Sequence, residues 1–305
     1  MNTYADWLHR HGELIYDAGG VEWRTYRGIL VPVSDVPCAI ELSQAEARRL
    51  LRESGAALVR YPGRGVTQDS TRDGWYYVVA DTCPTLEDLD KKVRYEVKQG
   101  FKHCQVRQVE AAWLAEHGYE CYRAAHARYR RSTFDSEATF RVDMLSRTDG
   151  PFEHWAVLVG DRLAGYSRCN VAAPWVHHSV AKYHPEYLGE RAAYALVRAL
   201  LEEYVGRRGL KLVNGTRTMA HDTDYNRFLL KQGFRYVVCE LRVVYRRLLG
   251  LGVTLLYPAR SVLSRLPHTA GFSRVRAVLA LEELRRGSPR AGVQPAAGRL
   301  GNASA

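Results

Sequence analysis

The chain alternates short apolar runs with glycine-rich or polar turns, and the spacing of these runs predicts alternating strands and helices. Residues 21–33 are predicted to form a strand or hairpin interrupted at Gly28, and residues 57–61 a further strand. Between them, the capping box Ser43-Gln44-Ala45-Glu46 begins a helix that ends at Gly55. This strand, helix, strand order predicts an α/β arrangement for the first part of the chain.

The middle of the chain carries strong periodic signals. Leu89, Val93 and Val97 recur at helical spacing, so a helix is predicted over residues 86–99, with Thr85 as its N-cap. Two apolar runs joined across Gly160-Asp161 predict a hairpin over residues 155–170. The predicted elements that follow are a strand over residues 175–182 and a helix over residues 186–206.

The stretch over residues 210–245 is predicted to be a strand, a short helix and a second strand, and the two strands are expected to splay apart around the helix and leave a slot in which two reactants can meet. Residues 210–213 form an apolar run, and Gly215 permits a sharp exit from it. Thr223 is the predicted N-cap of the helix, and the second strand begins after Gly233. The loop before this helix carries the polar residues Arg217, His221 and Thr223. Ligands of α/β sheets usually bind at loops beyond the carboxyl ends of strands, so this loop is the candidate functional region.

Composition narrows the class of protein. The chain has 305 residues, of which 46% are hydrophobic and 25% charged, and its formal net charge is +11. These proportions are typical of a globular protein and exclude fibrous or disordered classes. The basic excess leaves two interpretations open, affinity for a polyanion and solvated arginine-rich faces. The six cysteines are far apart without metal-ligand spacing, which favours buried thiols in a reducing compartment and predicts no metal site.

Targeting and enzyme motifs exclude further classes. The first twenty residues contain no apolar core of a secretory signal, and no run approaches the roughly 18 to 20 apolar residues that a membrane span requires. The sequence therefore predicts a cytoplasmic protein. It also lacks a GxSxG elbow, a Walker loop and a Rossmann fingerprint, which argues against hydrolase, NTPase and dehydrogenase functions.

The order of residues after Gly215 carries a family resemblance. The residues Asn226, Phe228, Leu229, Gly233 and Phe234 resemble the closing helix and strand of the GNAT acyltransferase superfamily. The fuller set, which adds Gly215, Arg217, His221, Thr223 and Arg235, is more similar to the FemAB-like branch found in bacterial cell-surface and exopolysaccharide gene clusters. The resemblance covers residues 75–245. It implies a GNAT-like mixed sheet flanked by helices, with a degenerate partner lobe over residues 21–62.

Two positions depart from the family pattern. The family's [RQ]xxGx[GA] pyrophosphate loop corresponds to residues 186–191, EYLGER, which retain Gly189 and end in Arg191. The acidic residue at the start of this loop opposes the binding of a pyrophosphate. Both acyl-CoA and another acyl donor therefore stay open as the expected donor, with Gly189 and Arg191 as donor-binding residues. The tyrosine that protonates the departing thiolate in many relatives is replaced by Leu229, and Tyr225, one turn away, is the candidate substitute.

Several polar residues are candidates for the remaining roles. His221 is the candidate general base because an imidazole titrates near neutral pH, and the alternative is that it only hydrogen-bonds the turn. Arg217 is suited to holding an anionic group. His177 and His178 are neighbours on a predicted strand, so at most one of them points toward a site. The other residues of the predicted donor- or acceptor-binding set are Gly215, Thr223 and Asn226.

Two surfaces are candidate partner contacts. A basic face of the helix over residues 86–99, which the resemblance associates with tRNA, has a solvated helix face as its alternative. It consists of Lys91, Arg94, Lys98 and Lys102. Residues 248–266 are apolar on one side and lie beside Arg246-Arg247, so they predict either peripheral contact with the inner membrane or a helix packed on the protein.

These observations give one fold hypothesis and three functional ones. The predicted domains are a degenerate GNAT-like lobe at residues 1–84, a GNAT-like catalytic lobe at 85–245, a helical extension at 246–286 and a disordered tail at 287–305. The first functional hypothesis is an N-acyltransferase that moves an acyl or aminoacyl group to an amine of a cell-envelope or polysaccharide precursor, with a small-molecule or lipid-linked glycan as the acceptor. The others are an aminoacyl-tRNA-dependent transferase and a catalytically inactive module that docks on membranes.

Overall fold

A computed structural model describes residues 3–63, 74–127, 134–217, 225–263 and 270–287. Helices flank two β-sheets, and the elements are numbered in chain order. The strands are β1 (Ile15–Ala18), β2 (Val21–Tyr26), β3 (Ile29–Pro32), β4 (Leu58–Pro62), β5 (Trp75–Ala80), β6 (Gln105–Val109), β7 (Phe152–Val159), β8 (Arg162–Ala172), β9 (Trp175–Tyr183), β10 (Lys211–Thr216), β11 (Arg235–Cys239) and β12 (Leu241–Tyr245).

The α-helices lie mainly between the strands. They are α1 (Tyr4–Arg10), α2 (Gln44–Ser54), α3 (Lys91–His103), α4 (Ala111–His117), α5 (Tyr119–Ala127), α6 (Glu137–Leu145), α7 (Ala192–Leu200), α8 (Tyr225–Lys231), α9 (Arg247–Leu256), α10 (Arg260–Leu263) and α11 (Ala270–Gly287). A 3₁₀-helix (Pro185–Glu190) precedes α7 and a π-helix (Leu201–Arg207) follows it. Among the described residues, no helix combines the length and apolarity needed to cross a membrane.

Both sheets mix parallel and antiparallel strands. The five-stranded sheet has the order β1-β2-β3-β4-β12, and the seven-stranded sheet the order β11-β5-β10-β9-β8-β7-β6. Within them β3 pairs with β4 and β9 with β10 in parallel, while the other pairs are antiparallel. The predicted α/β class, with mixed sheets flanked by helices, is confirmed.

Each sheet contains one strand that comes from the other part of the chain. β5 lies between β10 and β11 in the seven-stranded sheet, although it comes from the first third of the chain. β12 pairs with β4 in the five-stranded sheet. The prediction of one continuous strand after Gly233 is therefore wrong, because the chain passes from one sheet to the other at the buried residue Glu240.

Local sequence signals placed several elements correctly. The capping box is present, since the Ser43 side chain accepts from the Glu46 amide while the Glu46 side chain accepts from the Ser43 amide, and α2 ends at Gly55 with a φ of 71°. The hairpin predicted across Gly160-Asp161 is β7 and β8. The helix predicted from residue 86 instead begins at Lys91.

The longest predicted helix, over residues 186–206, is divided into three pieces. The division falls at Arg191, which has a φ of 63° and separates the 3₁₀-helix from α7. The α7 side chains Leu196 and Leu200 then join Leu201 and Tyr204 of the π-helix in the main core against the seven-stranded sheet. This core fixes α7 across one face of the sheet.

Candidate functional site

The parallel strands β9 and β10 separate partway along their length. They pair at three positions, Trp175 with Lys211, Val176 with Leu212, and His177 with Val213. β9 then continues to Tyr183, whereas the register of β10 against β5 shifts between Val213 and Thr216. The result is a gap between the two strands beyond His177.

The sequence predicted a gap at a different place in the sheet. The sequence suggested that the strand over residues 210–213 and the strand after Gly233 would lie apart and leave a slot between them. That expectation is wrong, because β5 fills the space between β10 and β11 and is hydrogen-bonded to both. The position of β5 depends on pairing across more than 130 residues, which local patterns do not encode.

A cavity of about 810 Å³ opens on one side of this gap, between the two sheets. One wall comes from the five-stranded sheet and from residues 33–36, which follow β3, and the other comes from β8, β9 and β10. The polar residues that line it include Glu22, Arg24, Asp35, Arg60, Arg147, Arg168, Asn170, His177, Ser179 and Thr216. Gly215, with a φ of 91°, also lines it, and its predicted role in binding stays a prediction.

The two histidines of β9 point to opposite faces. His177 is half-buried and lines the cavity, and burial lowers its pKa below the ordinary value, although the nearby Asp35 carboxylate acts against this and Arg24 adds a smaller lowering effect. A neutral imidazole in this position can accept a proton from a bound molecule. His178 is 5% exposed on the other face, beside Asn214, where burial lowers its pKa to about 4.

The helix side of the gap holds two buried phenols. The hydroxyl of Tyr225, on α8, lies beside that of Tyr183 at the end of β9, and burial raises the pKa of both. Both hydroxyls therefore keep their protons at neutral pH and can donate hydrogen bonds. Tyr225 was a candidate from the sequence, whereas Tyr183 was missed because its importance depends on contact with a helix about forty residues later.

The beginning of α7 lies on this same face of the sheet. Arg191 occupies the N-cap position, where its guanidinium pairs with Glu96 of α3 and donates to the Gly189 carbonyl. Gly189 is exposed, and so is Glu186 at the start of the predicted donor loop. The partial positive charge of a helix N-terminus favours an anionic group here.

The other predicted site residues are dispersed. Arg217 donates to the Gly74 carbonyl at 3.1 Å and lies near the Tyr76 ring. Asn226 is half-buried on α8. His221 and Thr223 lie outside the described residues, so their predicted roles stay predictions.

The predicted basic face lies along α3. Lys91, Lys98 and Lys102 are exposed and Arg94 is half-buried.

Across the part of the chain that the structure describes, no group of three or more histidine, cysteine or acidic side chains is arranged to hold a metal ion.

No protein-family model and no curated protein matches this chain in sequence. Among solved structures, the chain is similar to FemX, with a TM-score of 0.54 and 10% identity over 82% of this chain and 92% of that chain. It is also similar to the C-terminal domain of a protein described as a lysylphosphatidylglycerol synthetase from Agrobacterium fabrum, with a TM-score of 0.51 and 8% identity over 84% of this chain and 92% of that chain. At these identities the likeness concerns the fold, which is the GNAT-like arrangement expected from the sequence.

Proposed function

We propose that this protein is an acyl or aminoacyl transferase in which donor and acceptor meet at the gap between β9 and β10. The observation that carries the proposal is the position of the gap, which has the hydroxyls of Tyr183 and Tyr225 on one side and the cavity lined by His177 on the other. A transferase of this kind acts mainly by holding a carbonyl and an amine in line, with strand amides polarising the carbonyl.

The residues around the gap suit the two proton transfers. When the acceptor amine attacks the donor carbonyl, His177 takes the proton that the amine loses. The bond from the carbonyl carbon to the sulfur of a thioester donor, or to the oxygen of an ester donor, then breaks, and Tyr225, supported by Tyr183, donates a proton to that leaving sulfur or oxygen. His221 is retained as an alternative base.

Blocking the cavity tests the proposal. Ser179 is an exposed residue of β9 that lines the cavity, so Ser179→Trp should abolish transfer by filling the acceptor side of the gap. The matched control is Ala112→Trp, which adds the same indole at an exposed position of α4. Transfer from labelled acetyl-CoA and from charged tRNA to a panel of amines would be followed by mass spectrometry. Equal activity in both variants, or no transfer by the wild type, would contradict the proposal.

Aminoacyl-tRNA is the second candidate donor. The basic face of α3 offers three exposed lysines within about three helical turns, which suits contact with phosphates. The Agrobacterium fabrum protein is named for the synthesis of lysylphosphatidylglycerol, in which a lysyl group is attached to phosphatidylglycerol. The corresponding reaction for this chain is the transfer of an aminoacyl group to an anionic lipid or a cell-envelope precursor.

A lipid-linked acceptor would place the protein at the cytoplasmic surface of a membrane. Helix α9 supports this idea because it carries Leu248, Leu251 and Leu255 with exposed fractions of 85%, 62% and 77%. The exposed pair Arg246 and Arg247 stands at its start, where it can contact anionic headgroups. The opposite side of α9, with Leu249 and Val253, packs on the protein.

A further inference from the structure

Two nearly buried arginines stand in the wall of the cavity. Arg147, which follows α6, and Arg168, on β8, have side chains that are only 13% and 15% exposed. Both approach the same carboxylate, Asp143, at 2.5 Å and 3.5 Å. The side chain of Asp143 is 44% exposed, so solvent weakens its hold on the pair.

Aromatic rings hold both guanidiniums in place. Arg147 lies over the rings of Trp7, at 4.7 Å, and Phe152, at 5.2 Å. Arg168 lies over Phe152 at 5.8 Å, and its Nε donates to the Ser179 hydroxyl at 3.4 Å. Guanidiniums fixed in this way keep the in-plane geometry that suits bidentate binding of an oxyanion.

The pair carries more positive charge and more donors than its protein partners use. Each guanidinium has about five N–H donors, and the Nε of Arg147 is buried with no hydrogen-bond partner among the described residues. Burial, followed by the nearness of Arg147, lowers the pKa of Arg168 to about 10, which leaves Arg168 charged at neutral pH. The same two arginines, after burial itself, lower the pKa of neighbouring His154 to about 4.

We propose that Arg147 and Arg168 form an oxyanion subsite that holds a phosphoryl or carboxylate group of the acceptor. Arg168 and Asn170 are two residues apart on the cavity face of β8, roughly 7 Å along the strand, and Asn170 is the cross-strand partner of His177. An anion held by the arginines therefore places the rest of the same molecule beside His177. The inference rests on the proposed function only in naming that molecule as the acceptor.

Calorimetric titration of the full chain with inorganic phosphate and, separately, with acetate tests the subsite. At least one probe should bind the wild type, and Arg168→Gln should weaken that binding at least tenfold. Arg168→Lys keeps the positive charge but loses the paired N–H donors of the guanidinium, so it should bind the probe more tightly than Arg168→Gln does. The matched control is Arg162→Gln, an exposed arginine of the same strand outside the cavity, which should bind as the wild type does. Circular dichroism would establish that each variant is folded.

The preferred probe decides between a phosphoryl and a carboxylate group. Failure of both probes to bind, or equal binding by Arg168→Gln and the wild type, would overturn the subsite. Transfer assays separate this outcome from failure of the proposed function. Binding that depends on Arg168, without transfer to any amine, would retain the subsite and contradict the transferase. Transfer without at least tenfold preference for an anionic amine over its neutral counterpart would contradict the subsite alone.

Discussion

His177 and His178 have different surroundings only because neighbouring strand residues face opposite sides of a sheet. The side that faces α7 is packed with apolar side chains, so His178 is closed off beside Asn214. The other side faces the cavity, and there His177 keeps one face open. One step along the strand thus separates a structural histidine from a candidate base.

We expect His177→Gln to reduce kcat/KM by about 10² to 10⁴, the usual contribution of a general base. The active form is the neutral imidazole, and burial lowers its pKa. Activity should therefore hold as the pH falls through 6.5 and decline only at lower pH, as the imidazole gains a proton. A pH profile of kcat/KM for the wild type and the variant would measure this.

A suitable control is His117→Gln, at an exposed position of α4 that does not line the cavity beside His177. Its profile should match that of the wild type. A His177→Gln enzyme with the same acid limb as the wild type would show that another group, with His221 the first alternative, takes the proton.

Sequence patterns recovered parts of this site and missed others for identifiable reasons. Gly215 was predicted because a glycine after an apolar run signals a sharp exit, and it does line the cavity. Strand alternation also predicted that at most one of the two histidines would face a site, and of the two His177 lines the cavity. Arg147 and Arg168 were missed, since a shared carboxylate and stacking on Phe152 arise only when α6 packs beside β8.

At the scale of single elements, α3 tests the choice of donor. If the donor is a charged tRNA, replacing Lys91, Lys98 and Lys102 together by glutamine should weaken tRNA binding. The slope of log K against log salt should then fall by about 2 to 3, close to 0.9 for each lost phosphate contact. The matched control replaces Arg48, Arg49 and Arg52, three exposed arginines of α2. Equal loss in both variants would point to general attraction by the net charge of +11.

Helix α9 makes a separate prediction about membranes. Each leucine that enters a bilayer contributes about 1.5 to 3 kcal/mol, so three leucines on one side are enough for measurable binding. The wild type should float with vesicles containing phosphatidylglycerol, and replacing Leu248, Leu251 and Leu255 by glutamine should abolish flotation. The control replaces Leu14, Val142 and Leu145, which are exposed at scattered positions. Flotation that survives in the α9 variant would exclude this helix as the membrane contact.

Element boundaries were predictable where the signal is local. The α2 capping box involves residues three apart, and the β7–β8 turn involves two. The start of α3 was misjudged because Thr85 bonds the Asp88 carboxylate in a turn of its own instead of capping the helix. The break at Glu240 was missed for the opposite reason, since both halves of the run have strand composition and only their distant partners differ.

For the whole molecule, the exchange of β5 and β12 decides how the chain folds. A piece containing residues 85–305 lacks β5, so β10 and β11 lose the strand that joins them. A piece containing residues 1–84 lacks β12, which pairs with β4 at five positions. Each piece would expose unpaired backbone groups and side chains that are buried in the intact chain, such as Tyr77 and Val79 in residues 1–84, and Val213 and Val237 in residues 85–305.

We therefore expect residues 85–305 produced alone to show no cooperative unfolding transition in urea, followed by far-UV circular dichroism. Producing residues 1–84 and 85–305 together should restore a single transition, because β5 and β12 can then take their places in the opposite sheets. The intact chain should unfold in one step for the same reason, despite its two sheets. A cooperative transition of residues 85–305 alone would mean that the proposed catalytic lobe folds independently and that the gap beside His177 forms without β5.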